Sequence, residues 1–344
     1  MAELYVEVNG NGPDLVLLHG WGLNVRVWDG LVDTLRDRFR LIAVDLPGHG
    51  RSAWTQGRNT PAEQTWLLHS TLAPISNRYS LLGWSLGGQI ALDLAAAMPA
   101  RIDKLVLVAT TPRFTAAPDW PYGMKVDAIT KMAVQLREDY QKTVRDFLDL
   151  QVRGSVEGAS VIEQLRKALS VHGQAKPEAL ESGLTTLATS DLRPTLPHVR
   201  TRTLVIAGQN DRITVPGASR VLATALPNAR FVEIRRAAHA PFLSHRKEFT
   251  AELGRFLCAE EAEVGASDSV GTGDATAGRF EPVGNVAADE VADAIRIKAE
   301  TRSDRGAAGK SAPKAVASGG GVASSAKKKR MKARARKKLQ ASSR

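Results

Sequence analysis

Cysteine is nearly missing from this sequence. Cys258 stands alone, which excludes an internal disulfide and any cysteine-built metal cluster and fits a reducing, cytoplasmic setting. No apolar run approaches the about 18 uninterrupted residues of a membrane-crossing helix, so no span is expected. The opening residues, MAELYVEVNGNGPDLVLLHG, lack a basic stretch followed by an apolar one, and no secretory leader is expected. What is present is ordinary for a soluble globular protein: 344 residues, 43% hydrophobic and 24% charged. That length suffices for one large α/β domain with appendages.

The formal charge of +11 is unevenly placed. Lys and Arg stand against Asp and Glu at 30 to 25 over residues 1–259, 5 to 11 over 260–305, and 12 to 0 over 306–344. Basicity therefore belongs to the tail and says little about the globular part. Beyond Cys258 the composition shifts to Ala, Gly, Ser and charge. Too little apolar surface is available there to offset ordering entropy, so residues 259–344 are expected to be a disordered basic tail with an isolated helix over 285–298.

Apolar runs at 15–18, 41–44, 79–82 and 105–108 read as buried strands bounded by Gly, Pro and Asn. A helical pattern over 89–98 lies between two of them, the grammar of a mostly parallel sheet flanked by helices. From 113 to 185 only helix-compatible stretches occur, such as MKVDAITKMAVQLRE, YQKTVRDFLDLQV and SVIEQLRKALSVHG. Strand patterns return at 203–208 and 229–234, followed by a helix over 247–257. The sequence thus predicts an α/β core from residues 1–112 and 186–258, interrupted by an all-helical cap at 113–185.

The run YSLLGWSLGGQ contains Gly83-Trp84-Ser85-Leu86-Gly87, a G-x-S-x-G motif between a predicted strand and a predicted helix. A serine on so sharp a turn projects alone into the cleft, and the glycines relieve collisions around it. The next N–H, that of Leu86, falls at the helix start, where an oxyanion can be held. The serine needs a base, and histidine has the suitable pKa. Of the seven histidines, His239 follows the last predicted strand in a loop; His245 is its neighbour but begins the final helix and is expected to face solvent. Asp211, in QNDRITVP after the strand at 203–208, can orient the imidazole. Asp45, in VDLPGHGRS, is expected to organise its own turn.

A second oxyanion donor is expected from the loop after an early strand. His19-Gly20-Trp21-Gly22 supplies it: glycines flank Trp21, whose N–H can approach the substrate oxygen while its ring walls the pocket. His19 is expected to stabilise the turn rather than act as a base.

These motifs, LVLLHGWGLNVRVW, VDLPGHGRS, LLGWSLGGQIAL, GQNDRITVP and HAPFLSH, resemble the α/β-hydrolase superfamily across residues 1–258. Within it they are most similar to the carboxylesterases that demethylate a pimeloyl chain on an acyl carrier protein in biotin synthesis. The resemblance implies an α/β-hydrolase fold, a Ser85/Asp211/His239 triad and no metal or organic cofactor. It also implies an acyl site lined by Trp21, Ser85, Leu86, Phe147, Leu148, Asp149, Leu150, Gln151 and His239, although Asp149 stands where a smaller apolar residue is expected. Trp120, Met124, Met132, Phe147 and Leu150 are the cap's candidate pocket groups. A carrier protein, being acidic, prefers a basic rim; the cap has 10 basic and 10 acidic residues, yet Lys142, Arg145, Arg153, Arg166 and Lys167 can form a local patch. The protein is expected to act as a monomer.

Two other readings stand beside this one. A broad short-chain carboxylesterase, or a hydrolase of lactones or C–C bonds, uses the same triad. Nucleic-acid binding through KKKRMKARARKKLQ at 327–340 is the reading from a different class, and that cluster holds no aromatic residue on which a base could stack.

Overall fold

Five consecutive apolar strands, buried on both faces, set the architecture. A computed structural model describes residues 4–55 and 60–259; the helix expected over 285–298 and the basic cluster at 327–340 lie outside the described residues. The strands are β1 (Val6–Asn9), β2 (Asp14–Leu18), β3 (Arg40–Val44), β4 (Tyr79–Trp84), β5 (Ile102–Val108), β6 (Arg202–Gly208) and β7 (Ala229–Ile234). They form one sheet in the order β1-β3-β2-β4-β5-β6-β7, with β1 antiparallel to β3 and every other pairing parallel. Strands β2 to β6 read as near-continuous runs of Leu, Val and Ile because a parallel sheet is covered by helices on both sides. Strand β1, VEVN at the edge, is short and half exposed, and the sequence analysis did not anticipate it.

The helices are α1 (Asp29–Leu35), α2 (Pro61–Leu72), α3 (Leu86–Ala97), α4 (Val126–Glu138), α5 (Tyr140–Val152), α6 (Gly158–His172), α7 (Pro177–Thr189), α8 (Pro216–Ala225), α9 (Pro241–Ser244) and α10 (Arg246–Cys258). Helix α3 packs on β4 and β5, and α8 on β6 and β7. Helices α4 to α7 fill the connection between β5 and β6, pairing α4 with α5, α5 with α6 and α4 with α7. The last of them runs to Thr189, past residue 185, since the four residues that follow, TLAT, hold neither glycine nor proline.

Register brings the strand ends level. Leu18 is opposite Gly83, Trp84 opposite Val108, and Gly208 opposite Ile234. The chain leaves β2 for β3 on one side, then returns to β4 on the other. That reversal between neighbouring parallel strands opens a crevice at their carboxyl ends, the usual ligand position in such sheets. The loops after β2, β4, β6 and β7 all emerge there.

Candidate active site

Strand β4 ends at Trp84, and α3 begins one residue after Ser85. Ser85 itself has φ 56° and ψ −117°, a conformation that costs a non-glycine residue of order 1–3 kcal/mol. The turn is feasible only because its flanks are bare: a Cβ on Gly83 would run into the Gly87 carbonyl, and one on Gly87 into the His19 carbonyl. The strain presents the hydroxyl at the crevice. Leu86 heads a 12-residue helix, whose first N–H groups have no carbonyl a turn earlier to bond.

His239 Nε2 lies 3.0 Å from Ser85 Oγ, and His239 Nδ1 lies 2.8 Å from Asp211 Oδ2. With the Asp211 carboxylate as acceptor, Nδ1 carries the proton and Nε2 is free to accept the serine hydroxyl. All three residues are buried. The other carboxylate oxygen of Asp211 accepts the N–H groups of Ile213 at 2.8 Å and Thr214 at 3.1 Å. The Thr214 hydroxyl lies 2.8 Å from Asp211 Oδ2 and 2.9 Å from the Ala109 carbonyl, both acceptors for its one proton. The aspartate is therefore held in one orientation whatever the histidine does.

The His239 backbone is also gripped from two sides. Its N–H donates to the Gln151 carbonyl of α5 at 3.2 Å, and its carbonyl accepts the Trp84 indole N–H at 2.8 Å. Sequence reasoning singled out neither Trp84 nor Thr214. Trp84 occupies the variable position of the serine motif, which signals nothing by itself, and Thr214 has no signal beyond following Asp211.

Trp21 is buried, donates its indole N–H to the Leu180 carbonyl of α7 at 2.9 Å, and meets the Phe147 ring edge-on with centroids 4.7 Å apart. Residues 147–151 do not all face the crevice, contrary to the expectation for that segment. Five successive helical residues sweep more than one full turn. Phe147 reaches Trp21, Leu148 and Gln151 are buried, and Leu150 is half buried. Asp149 turns outward: its side chain is 58% exposed and lies 3.5 Å from Arg166. The Gln151 side-chain oxygen is buried without a hydrogen-bond partner. Of the other cap candidates, Trp120 bonds the Arg113 carbonyl, lies under the Arg193 guanidinium and meets the Tyr122 ring, while Met124 and Met132 pack partly buried against the core. Lys142, Arg145, Arg153, Arg166 and Lys167 are all exposed; Lys142 pairs with Asp146 and Arg166 with Asp149.

The remaining polar groups nearby organise loops. Asp45 accepts the N–H groups of Val25 at 2.7 Å and Arg51 at 2.9 Å, and faces His172 of α6 at 3.1 Å. Burial pushes its carboxyl up and the His172 imidazole down. His19 donates from Nδ1 to the Gly20 carbonyl at 2.8 Å and accepts the Leu46 N–H at 3.0 Å. Burial, with the neighbouring His49, holds its pKa well below the usual histidine range. His245 is partly buried, its ring bonds the Ser244 hydroxyl, and it stands at the start of α10 without a side-chain cap bond. Among the described residues no three His, Cys, Asp or Glu side chains are grouped as a metal-binding set, and no helix is long and apolar enough to cross a membrane.

The profile of the alpha/beta hydrolase fold matches residues 13–246. The chain is 44% identical over 252 residues to the pimeloyl-[acyl-carrier protein] methyl ester esterase of Nitrosomonas europaea, covering 73% of this chain and 98% of that one. It is 40% identical over 255 residues to the protein of the same name from Xanthomonas axonopodis pv. citri, covering 74% and 98%. Among solved structures, the enol-lactonase of Burkholderia xenovorans LB400 superimposes with a TM-score of 0.63 at 27% identity, covering 74% of this chain and 96% of that one. A bromoperoxidase from Bacillus anthracis gives 0.69 at 24% identity, covering 74% and 95%, and shares the fold.

Proposed function

The chain belongs to the α/β-hydrolase family, and on that premise we propose that it is a serine carboxylesterase hydrolysing the methyl ester of a pimeloyl chain carried on an acyl carrier protein. The observation that carries this reading is the continuous contact from Asp211 through His239 to Ser85, 2.8 Å and 3.0 Å long, at the mouth of the β2/β4 crevice. The high identity to carriers of that name over 98% of their length supplies the substrate.

In this reading Ser85 Oγ attacks the ester carbonyl while His239 Nε2 takes its proton. Negative charge develops on the carbonyl oxygen, which rests on the N–H groups of Trp21 and Leu86. The C–O bond to the methoxy group breaks, and His239 returns the proton to release methanol. Water then gives a proton to the same nitrogen and attacks the acyl-serine, freeing the carboxylate and restoring the hydroxyl. Asp211 keeps Nδ1 protonated throughout and stabilises the imidazolium.

Helices α4 to α7 serve as the cap. Trp21 and Phe147 offer an apolar wall for methylenes. Arg145 on α5, Arg153 just beyond it, and Arg166 and Lys167 on α6 present cations to an acidic carrier.

Steady-state hydrolysis of pimeloyl-carrier methyl ester against p-nitrophenyl acetate and butyrate tests the assignment. The expected result is a kcat/KM for the carrier ester at least tenfold above either simple ester, abolished in Ser85→Ala. A preference for the simple esters would instead mark a broad short-chain esterase. Failure of a fluorophosphonate to label Ser85 would overturn nucleophilic catalysis altogether.

A further inference from the structure

The turn VDLPGHGRS carries a buried histidine that the mechanism leaves unused. His49 is 2% exposed and sits between Gly48 and Gly50, whose φ angles of +69° and +51° let the turn coil tightly beneath the β2 loop. Its Nε2 lies 3.2 Å from the Gly22 nitrogen, which can only donate, so Nε2 is the acceptor. Nδ1 therefore bears the proton and donates to the Pro47 carbonyl at 3.0 Å. Burial lowers its pKa to about 4, which keeps this acceptor neutral near pH 7.

Two peptide planes meet at Trp21. The one before it, between Gly20 and Trp21, carries the N–H that faces the substrate oxygen, and its carbonyl is held by His19 Nδ1 at 2.8 Å. The plane after it, between Trp21 and Gly22, is held through the Gly22 N–H by His49. Gly22 is buried with φ +75°, and a Cβ built there would meet only the Leu180 side chain, at 3.8 Å. The side chain that accepts its N–H is His49. The turn bearing His49 is itself tied to the cap, because the Lys176 N–H ahead of α7 donates to the Gly48 carbonyl at 2.8 Å.

We infer that His49 is a positioning residue for the oxyanion hole: by accepting the Gly22 N–H it locks the peptide after Trp21, and with His19 on the peptide before it fixes the aim of the Trp21 N–H. This rests on reading Ser85 as the nucleophile and Trp21 as an oxyanion donor. An oxyanion donor lost outright costs about 10²–10³ in kcat, and a donor merely loosened costs part of that. The bond to Gly22 is made in the free enzyme and does not touch substrate, so its loss is felt in the transition state rather than in binding.

The test compares the parent with His49→Phe, which removes the acceptor, and His49→Gln, whose Oε1 can replace Nε2. Active sites are counted with a fluorophosphonate so that misfolded protein does not enter the rates. With p-nitrophenyl acetate, H49F is expected to lose about tenfold or more in kcat with KM within twofold. It should also lose a similar factor in affinity for an alkyl trifluoromethyl ketone, whose serine adduct places an oxyanion on the donors. H49Q is expected to recover most of both losses. A histidine that merely supports the fold would change the number of active sites but neither quantity per site, so an H49F with kcat and ketone affinity within twofold of the parent overturns the inference. So does an H49Q no better than H49F. Should H49F not fold, the histidine 15N spectrum of the parent decides: the Nδ1-protonated tautomer with Nε2 accepting is required between pH 5.5 and 8, and the opposite tautomer overturns it. A parent that is labelled at Ser85 but shows these contrary results loses only the role of His49; a parent that neither labels nor binds the ketone loses the functional reading, and this inference with it.

Discussion

The indole N–H of Trp84 donates to the main-chain carbonyl of His239 at 2.8 Å. The residue immediately before the nucleophile thus holds the backbone of the base, so the two reacting side chains share one rigid support. The Trp84 ring extends that support into a cluster with Trp28 and Phe242, at centroid distances of 6.3 Å and 4.9 Å.

Trp84→Phe keeps most of the ring and removes the bond. It is expected to leave a buried carbonyl unpaired, costing about 1–3 kcal/mol of stability, and to lower kcat about tenfold with KM within twofold. Urea unfolding and steady-state kinetics on the same preparation check both; a kcat matching the parent would show that the Gln151 contact alone suffices to hold the loop.

Asp211→Asn should preserve the fold yet lower kcat by about 10⁴, because an amide can donate to Nδ1 and turn the imidazole to the wrong tautomer. The loss ought to appear equally in the rate of fluorophosphonate labelling at Ser85, which depends on the same proton transfer. Labelling at the parent rate would separate Asp211 from activation of the serine.

Phe147→Ala and Asp149→Ala, two residues apart on α5, are expected to part company. Phe147 meets Trp21, so its truncation should lower kcat/KM for a pimeloyl-length ester about tenfold while sparing an acetate ester, in line with about 1–3 kcal/mol for apolar pocket contacts. Asp149 is solvent-facing and pairs loosely with Arg166, so its removal should alter stability by less than about 0.5 kcal/mol. Equal effects on acyl-length preference would mean that α5 is rotated from the orientation described.

Stability should depend on pH through His49. Its pKa falls from an ordinary 6.5 to about 4 on folding, so between those values the unfolded chain binds the extra proton. The contribution is complete above pH 6.5 and is lost as the pH falls through about 4. The size follows from about 1.4 kcal/mol for each pH unit, or about 3 kcal/mol in all. Asp45, whose carboxyl is raised by burial, works in the opposite sense, so the parent alone cannot isolate the histidine. The difference in unfolding free energy between the parent and His49→Gln can: it is expected to narrow by about 3 kcal/mol between pH 7.5 and pH 4, and a constant difference would contradict the buried neutral state.

Much of the fold was legible because its signals are local. Runs of four to six residues marked β2 to β7, and G-x-S-x-G marked the turn carrying Ser85. Edge strand β1 was not, since four half-exposed residues owe their pairing to β3 rather than to any pattern of their own. Helix α2 carries a local start signal that the sequence analysis did not use: Thr60 and Glu63 form a capping box around Pro61 at the first turn.

What the amino-acid order determined by itself is the chemistry on offer: a serine in a bend tight enough to expose it, a histidine and a carboxylate each just past a strand, and a glycine-flanked tryptophan that can present its N–H. What only the tertiary structure decided is how those groups are held. The Gly22–His49 bond joins residues 27 apart and the Trp84–His239 bond residues 155 apart, and α5 turns Phe147 inward and Asp149 outward. Main-chain N–H and C=O groups are the same at every position, so no sequence pattern marks which of them a distant ring will grip; strand order and helix rotation choose the partner.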